Sequence, residues 1–172
     1  MPAIHLTGFV YFPTSLVQSI GSNNHLLATG CKGFNSNGCD VKIWDLRGGR
    51  GGDKASGPPV LQHQLIGHEH DVTGVQFMNE KNTENENQIL LSVSRDGYMR
   101  RWDGIDGGDE VSTRRFMPSD RSSYTCLDSW QGIFTEDADS WQYCAVGDIN
   151  GSVHVIDCEG NSVFSTAPGV TD

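Results

Sequence analysis

Hydrophobic and small residues recur along this chain in short runs that return in the same order. The run that ends each copy lies at residues 41–45, 99–103 and 153–157. An apolar run with small residues precedes it at residues 26–30, 90–94 and 143–147. Upstream, residues 6–11 align with residues 72–77, and residues 124–127 form a fainter third copy. Three elements in one order, repeated three times, indicate an internal repeat.

Each run predicts a β-strand, because the runs are short, alternate in polarity and favour β-branched and aromatic residues. Asp96-Gly97 and Asn150-Gly151, which accept the positive φ angles of a tight hairpin, separate the second and third runs. A fourth strand is expected at residues 60–65, 111–116 and 162–166. The pattern therefore predicts an all-β chain of three four-stranded antiparallel sheets.

The middle copy resembles a WD repeat. It contains Gly67-His68, an inner strand at residues 72–77, the turn residue Asp96 and, six residues later, Trp102-Asp103. The outer copies depart from that pattern, because neither has a Gly-His pair and Ile156 replaces the tryptophan in the third. Their signature residues are Trp44, Asp45 and Asp157.

The resemblance implies β-propeller blades. Residues 1–172 would form an incomplete propeller of about three blades, at about residues 4–66, 67–117 and 122–168. Because three blades cannot close a ring, we expect further blades of a longer chain, another chain or self-association to complete it.

The resemblance also implies a buried hydrogen-bond chain in the middle blade. It would run from Trp102 to Ser92 or Ser94, then to His68 and Asp96, which suits an indole donor, a hydroxyl, an imidazole and a carboxylate. The same residue types form the catalytic triads of hydrolases. The spacing is that of a structural network, and no Gly-x-Ser-x-Gly motif occurs. We therefore expect no enzyme activity and no cofactor.

Charge and composition restrict the partners. The chain has 12 Lys and Arg against 22 Asp and Glu, a net charge of −10, which disfavours coating of nucleic acid or of an anionic membrane. The N-terminal sequence lacks the features of a signal peptide, and no apolar run approaches the ~20 residues of a membrane helix. The five cysteines are widely spread without zinc-site spacing, as expected of free thiols in the cytoplasm or nucleus.

These features favour a non-catalytic scaffold that binds other proteins or peptides. Propeller geometry places the turn after the second strand and the connection between blades on one face. Asp71 and Arg95 are expected on that face, and Ile149 is the counterpart of Arg95 in the third copy.

Two alternatives remain. Trp44-Asp45-Leu46-Arg47 resembles the WDxR box of WD-repeat substrate receptors of cullin-RING ubiquitin ligases, in which the arginine contacts the ligase adaptor. The Arg-Gly-Gly repeat at residues 47–52 resembles a short segment of RNA-binding proteins. A flexible connection between strands also explains that stretch.

Overall fold

Three four-stranded antiparallel sheets make up the fold. The computed structural model describes residues 6–19, 25–48, 58–79, 88–105, 111–116, 122–132, 141–157 and 159–166. In this part of the chain there are strands and no helices, and each sheet is a meander in which strands pair in chain order. The predicted all-β class is confirmed. We call the sheets blades 1, 2 and 3.

The strands have the following bounds. Blade 1 contains β1 (Pro13–Gln18), β2 (Leu26–Cys31), β3 (Val41–Asp45) and β4 (Val60–Leu65). Blade 2 contains β5 (Val72–Asn79), β6 (Gln88–Ser94), β7 (Met99–Asp103) and β8 (Ser112–Phe116). Blade 3 contains β9 (Tyr124–Gly132), β10 (Trp141–Asp148), β11 (Val153–Asp157) and β12 (Ser162–Ser165). The third strand of each blade has the predicted bounds.

The inner strand of blade 1 was predicted at residues 6–11, and that prediction is wrong. The strand is β1, in which Leu16 pairs with Thr29 as Val75 pairs with Ser92 in blade 2. The pair Thr7-Gly8 imitates Thr73-Gly74, but Thr14-Ser15 occupies the equivalent place. Pro13 can begin this strand because the first residue need not donate a ladder hydrogen bond.

Gly8 and Phe9 instead occupy the place of Gly67 and His68, four residues before their inner strands. The lysine ammonium of Lys42 donates to the carbonyl of Gly8. In the same way, the Arg100 guanidinium donates to the carbonyl of Gly67 at 2.6 Å. Blade 1 thus repeats this part of blade 2 with Phe9 in place of His68.

Two apolar cores lie between neighbouring blades. Blade 2 packs against a neighbouring blade on each face, and every residue of its second strand, β6, is buried. The core between blades 1 and 2 contains Leu26, Ala28, Val41, Ile43, Leu65, Val72, Val75, Phe77, Leu90, Trp102 and Ile105. The core between blades 2 and 3 contains Met78, Ile89, Leu91, Val93, Met99, Tyr124, Cys144, Val146 and Ile156. Burial between blades is therefore what holds the three sheets together.

An inner-strand threonine repeats in all three blades. Thr14 donates to the carbonyl of Val72, the first residue of the next inner strand. Thr73 donates to the carbonyl of Tyr124 at 2.9 Å in the same manner. Thr125 holds the equivalent position in blade 3, where it donates to Gly147 within its own sheet at 3.2 Å. The bonds from Thr14 and Thr73 fix the height of one blade relative to the next.

Candidate functional site

A continuous hydrogen-bond chain crosses blade 2. The indole N–H of Trp102 donates to Ser92 Oγ at 2.9 Å, and Ser92 donates to His68 Nε2 at 2.8 Å. His68 Nδ1 then donates to Asp96 Oδ2 at 2.8 Å. The direction follows from the indole, which can only donate, and from the carboxylate, which accepts. Each group in the chain has its partner, so burial leaves none of these atoms orphaned.

Ser92, rather than Ser94, is the hydroxyl in this chain. Ser94 donates to the carbonyl of His70 at 3.1 Å and accepts from the backbone N–H of Asp96 at 3.1 Å. Asp96 also accepts from the N–H groups of Glu69 at 3.0 Å and Tyr98 at 2.9 Å. These bonds join the connection before β5 to the β6–β7 hairpin, where Gly97 takes a φ of 80°.

Burial and hydrogen bonding set the protonation states of the residues in this hydrogen-bond chain. Burial lowers the pKa of His68, against the opposing influence of the Asp96 carboxylate. Burial alone would raise the pKa of Asp96, but hydrogen bonds from His68, Glu69 and Tyr98 hold it below its usual value. The pair is therefore a neutral imidazole and a carboxylate near pH 7. His68 is 2% exposed and Ser92 is 0% exposed, so both side chains lie in the interior of the protein.

Blades 1 and 3 have different residues at some positions of this hydrogen-bond chain. In blade 1, Trp44 donates its indole N–H to Thr29 Oγ1 at 3.2 Å, and Phe9 packs on the indole with ring centroids 5.8 Å apart. In blade 3, Asp148 caps the hairpin turn, accepting from the N–H groups of Asn150 and Ser152 at 2.9 Å each. The three blades thus share a geometry while differing in polar groups.

The aspartates that end the third strands each accept hydrogen bonds from nearby residues of their own blade. Asp45 accepts from the Arg47 backbone N–H at 2.8 Å and from Arg47 Nη2 at 2.7 Å. Asp103 accepts from Arg101 Nε at 2.7 Å, and Asp157 accepts from the N–H of Asn161 at 2.8 Å. All three carboxylates are occupied within their own blades.

Arg47, the arginine of the WDxR box, lies on the surface with its side chain 61% exposed. Asp45 holds its guanidinium through two nitrogens, and this hydrogen bonding raises the pKa of Arg47 and lowers that of Asp45. Residues 49–52 of the Arg-Gly-Gly repeat lie outside the described residues.

One exposed position recurs in the β2–β3, β6–β7 and β10–β11 connections of the three blades. The backbone N–H of Lys32 donates to Phe12 O at 2.9 Å, and the N–H of Arg95 donates to Asp71 O at 3.0 Å. The N–H of Ile149 donates to Ser123 O at 2.9 Å. Arg95 and Ile149 are therefore structural counterparts, as the sequence alignment predicts, and Lys32 is the third. We call Phe12, Lys32, Phe34, Asp71, Arg95 and Ile149 the rim.

Contacts between blades hold the rim in place. Asp71 accepts from the N–H of Gly33 in blade 1 at 3.1 Å, and its other oxygen lies 3.6 Å from Arg95 Nη1. Ser123, which precedes blade 3, donates to the carbonyl of Arg95 at 3.0 Å. Phe34 forms a backbone bridge with His70, and their rings lie 5.7 Å apart. The rim is a supported surface built from three hairpin turns.

Three rim residues escaped the sequence reasoning, namely Phe12, Lys32 and Phe34. Placing the first inner strand at residues 6–11 concealed the fact that Phe12 precedes a strand as Asp71 does. In the structure the Lys32 ammonium lies 4.8 Å from the Phe12 ring centroid, and Phe34 is 61% exposed. Counting back from the third strands also misses Lys32, because it lies nine residues before Val41, whereas Arg95 lies four residues before Met99.

No group of three metal-ligating side chains occurs among the described residues. In the same part of the chain, no helix has the length and apolar character to cross a membrane. The described cysteines are free; Cys31, Cys39 and Cys144 are buried and Cys126 is exposed. Burial raises the pKa of Cys31 to about 12, so its thiol stays protonated.

No model of a known protein family and no curated protein matches this sequence. Among solved structures, the chain is similar to Sqt1 of Saccharomyces cerevisiae, with 17% identity and a TM-score of 0.61 over 85% of this chain. It spans 36% of the Sqt1 chain. It is also similar to the β-propeller domain of Cps50 (Swd1) of Myceliophteria thermophila, with 14% identity and a TM-score of 0.45, over 97% of this chain and 58% of that one. The fold is that of an incomplete β-propeller.

Proposed function

We propose that this chain is a non-catalytic scaffold that binds other proteins through the rim. The observation that carries the proposal is the exposed residue at one equivalent position in each blade: Lys32, Arg95 and Ile149. The same backbone hydrogen bond holds each position, so three different side chains stand on a common frame. Exposed side chains of mixed character on a rigid scaffold suit recognition of a partner.

The rim also indicates the chemistry of the partner. Lys32 and Arg95 are cations in a chain of net charge −10, while Phe34 and Ile149 are 61% and 70% exposed. Asp71 partly balances Arg95, whose side chain is nonetheless 61% exposed. The best ligand for such a surface is a segment that carries apolar side chains next to carboxylates. Such a partner would be met in the cytoplasm or nucleus.

Peptides selected from a random display library against the full chain provide the test, with affinity then measured by fluorescence anisotropy. We expect selected peptides to combine apolar and acidic residues, and Arg95→Glu or Ile149→Asp to weaken binding by about tenfold or more. Val60→Asp is the matched control. Val60 is exposed, and it lies at the start of β4 beside Asp45, at the end of the strands opposite to the rim. Equal binding to all variants, or selection of basic peptides, would count against the rim.

The ligase-receptor alternative remains a prediction with its own test. Asp45 would have to share the Arg47 guanidinium with an adaptor or release it. If this function holds, Arg47→Ala should abolish capture of a purified ligase adaptor while Arg95→Glu leaves it intact. RNA binding likewise stays a prediction, and retention on heparin that declines steeply with salt would support it.

A further inference from the structure

The geometry points to a second copy of this chain as the occupant of the open face of blade 3, and we propose that two copies pack head to tail. In this arrangement, blade 1 of one copy stacks on blade 3 of the other just as neighbouring blades stack within a chain. The proposal concerns assembly and does not depend on the rim.

Blade 3 presents an apolar face on the side away from blade 2. Its inward residues Cys144, Val146 and Ile156 belong to the core shared with blade 2, so alternate residues along the same strands face outward. Exposed side chains on this face are Cys126 and, at 40%, 41% and 57% exposure, Trp130, Val153 and Phe164. Asp128 lies on the same face of β9.

Strand pairing shows which residues of blade 2 correspond to this face of blade 3. Trp130 and Val153 correspond to Met78 and Met99 of blade 2, which are 3% and 0% exposed beneath blade 3. The open face thus repeats, position by position, a surface that a neighbouring blade covers elsewhere in this chain. The open face of blade 3 is therefore the same kind of surface as the face that blade 2 packs against blade 3.

Blade 1 carries the complementary surface on its own outer side. Leu16 corresponds to Val75 and Leu127, both of which pack against the preceding blade. Leu16 is 70% exposed, since no described strand precedes blade 1. Leu127 shows how such a residue docks, because its Cβ would lie 2.6 Å from a Cβ built on Gly74.

The corresponding receptor for Leu16 lies beside Cys126 and Gly147 on the open face of blade 3. Cys126 and Gly147 occupy the places of Ser15 and Gly30 in blade 1, against which blade 2 packs: a Cβ built on Gly30 would meet Val72 Cγ1 at 2.7 Å. Thr125 would donate to the carbonyl of Pro13, as Thr73 donates to Tyr124. Pro13 lacks an N–H but keeps this carbonyl free to accept.

Two copies would also satisfy closure. The three described blades of each copy would give six, which lies within the usual range of about 4–8 blades for closed propellers. The arrangement has two identical junctions, each made from one blade 1 and one blade 3. A ring of this kind would leave neither apolar face exposed.

Light scattering of the purified chain over about a hundredfold range of concentration tests the proposal. We expect a discrete dimer of twice 18.8 kDa. Leu16→Glu removes the blade 1 surface and Ala145→Arg blocks the blade 3 surface, so each variant alone should be monomeric or strongly weakened in association. An equimolar mixture should regain a heterodimer, because one intact junction remains. Ile66→Glu, at an exposed apolar residue between β4 and β5 that lies outside both faces and outside the rim, should dimerise like the unchanged chain.

Other outcomes would overturn the proposal. A monomer at every concentration, or aggregates without a defined size, would show that a second copy does not cover this face. Full dimerisation of Leu16→Glu alone would indicate that two copies of blade 3 meet face to face. Failure of the mixture to recover a dimer, while both variants unfold cooperatively, would exclude the head-to-tail arrangement.

Discussion

The hydroxyl of Ser92 joins two halves of the buried chain, since it accepts from Trp102 and donates to His68. Blade 1 uses Thr29 at the equivalent position, so Ser92→Thr keeps the hydroxyl in a residue the fold already accepts there. Ser92→Val matches threonine in shape but leaves an indole N–H and an imidazole nitrogen unpaired. We expect the valine variant to lose about 1–3 kcal/mol relative to the threonine variant in urea unfolding. Equal stability of the two would show that the hydroxyl contributes nothing.

His68 also makes stability depend on pH. Its pKa in the folded chain lies below the unfolded value of 6.5 because it is buried, so the unfolded chain binds the proton first as the pH falls. Asp96 also makes acid destabilising, but at lower pH. Its pKa in the folded chain lies below the unfolded value of 3.8, and the stability that this carboxylate contributes is lost as the pH falls through the folded pKa. Acidification should therefore weaken the fold, beginning near the unfolded pKa of His68.

The measurement is the free energy of unfolding at about pH 7.5 and about pH 5.5, for the unchanged chain and for His68→Phe. Phenylalanine is the residue that blade 1 places at this position, as Phe9. The unchanged chain should lose stability between these two pH values, and the variant should lose less. His25→Gln is the necessary comparison, since burial lowers the pKa of His25 as well. Identical slopes for the unchanged chain and His68→Phe would assign the effect to other groups.

At the scale of strands, the sequence pattern was sufficient wherever a strand carried its own signal. The third strands end in a hydrophobic residue followed by aspartate, and their bounds were predicted without error. β1 was missed because its identity depends on which residues pair with β2. Residues 6–11 resemble the sequence of β5 more closely than the residues of β1 do. The same error hid Phe12 from the rim, whereas Lys32 was hidden by the longer connection between β2 and β3. Pairing register is a tertiary property, so a local alignment cannot supply it.

Close approach of neighbouring blades gives a prediction at this scale. A Cβ at Gly74 would lie 2.6 Å from Leu127 Cβ and 3.0 Å from its backbone nitrogen, so Gly74→Ala must push blade 3 away from blade 2. We expect a loss of about 1–3 kcal/mol, as for other overpacked sites, measured by thermal or urea unfolding. Ser15→Ala is the control, because Ser15 already carries a Cβ at this position and its buried hydroxyl lacks a hydrogen-bond partner. If both variants are equally stable, the approach of the blades is not limiting.

Over the whole molecule, successive interfaces use different chemistry at one equivalent position. Ile43 fills it between blades 1 and 2, whereas between blades 2 and 3 the buried Arg101 contacts Glu159 Oε1 at 2.6 Å. Val155 holds this position on the open face of blade 3. At this position a third interface would therefore be apolar, like the first. This agrees with the exposed Leu16 on the outer side of blade 1.

Cys126 reports directly on whether this face becomes covered. Among the described cysteines it is the exposed one, while Cys31 is buried and its pKa is raised to about 12. In a Cys158→Ser background, Ellman's reagent should therefore react rapidly with Cys126 in dilute solution and slowly with Cys31. Head-to-tail association places Leu16 of the second copy against Cys126, so the rapid phase should slow as concentration rises. With Leu16→Glu it should stay fast at every concentration, because that variant cannot cover the thiol. A rate for the unchanged chain that does not vary with concentration would mean that Cys126 stays open to solvent, and the second copy would have to be sought elsewhere on the surface.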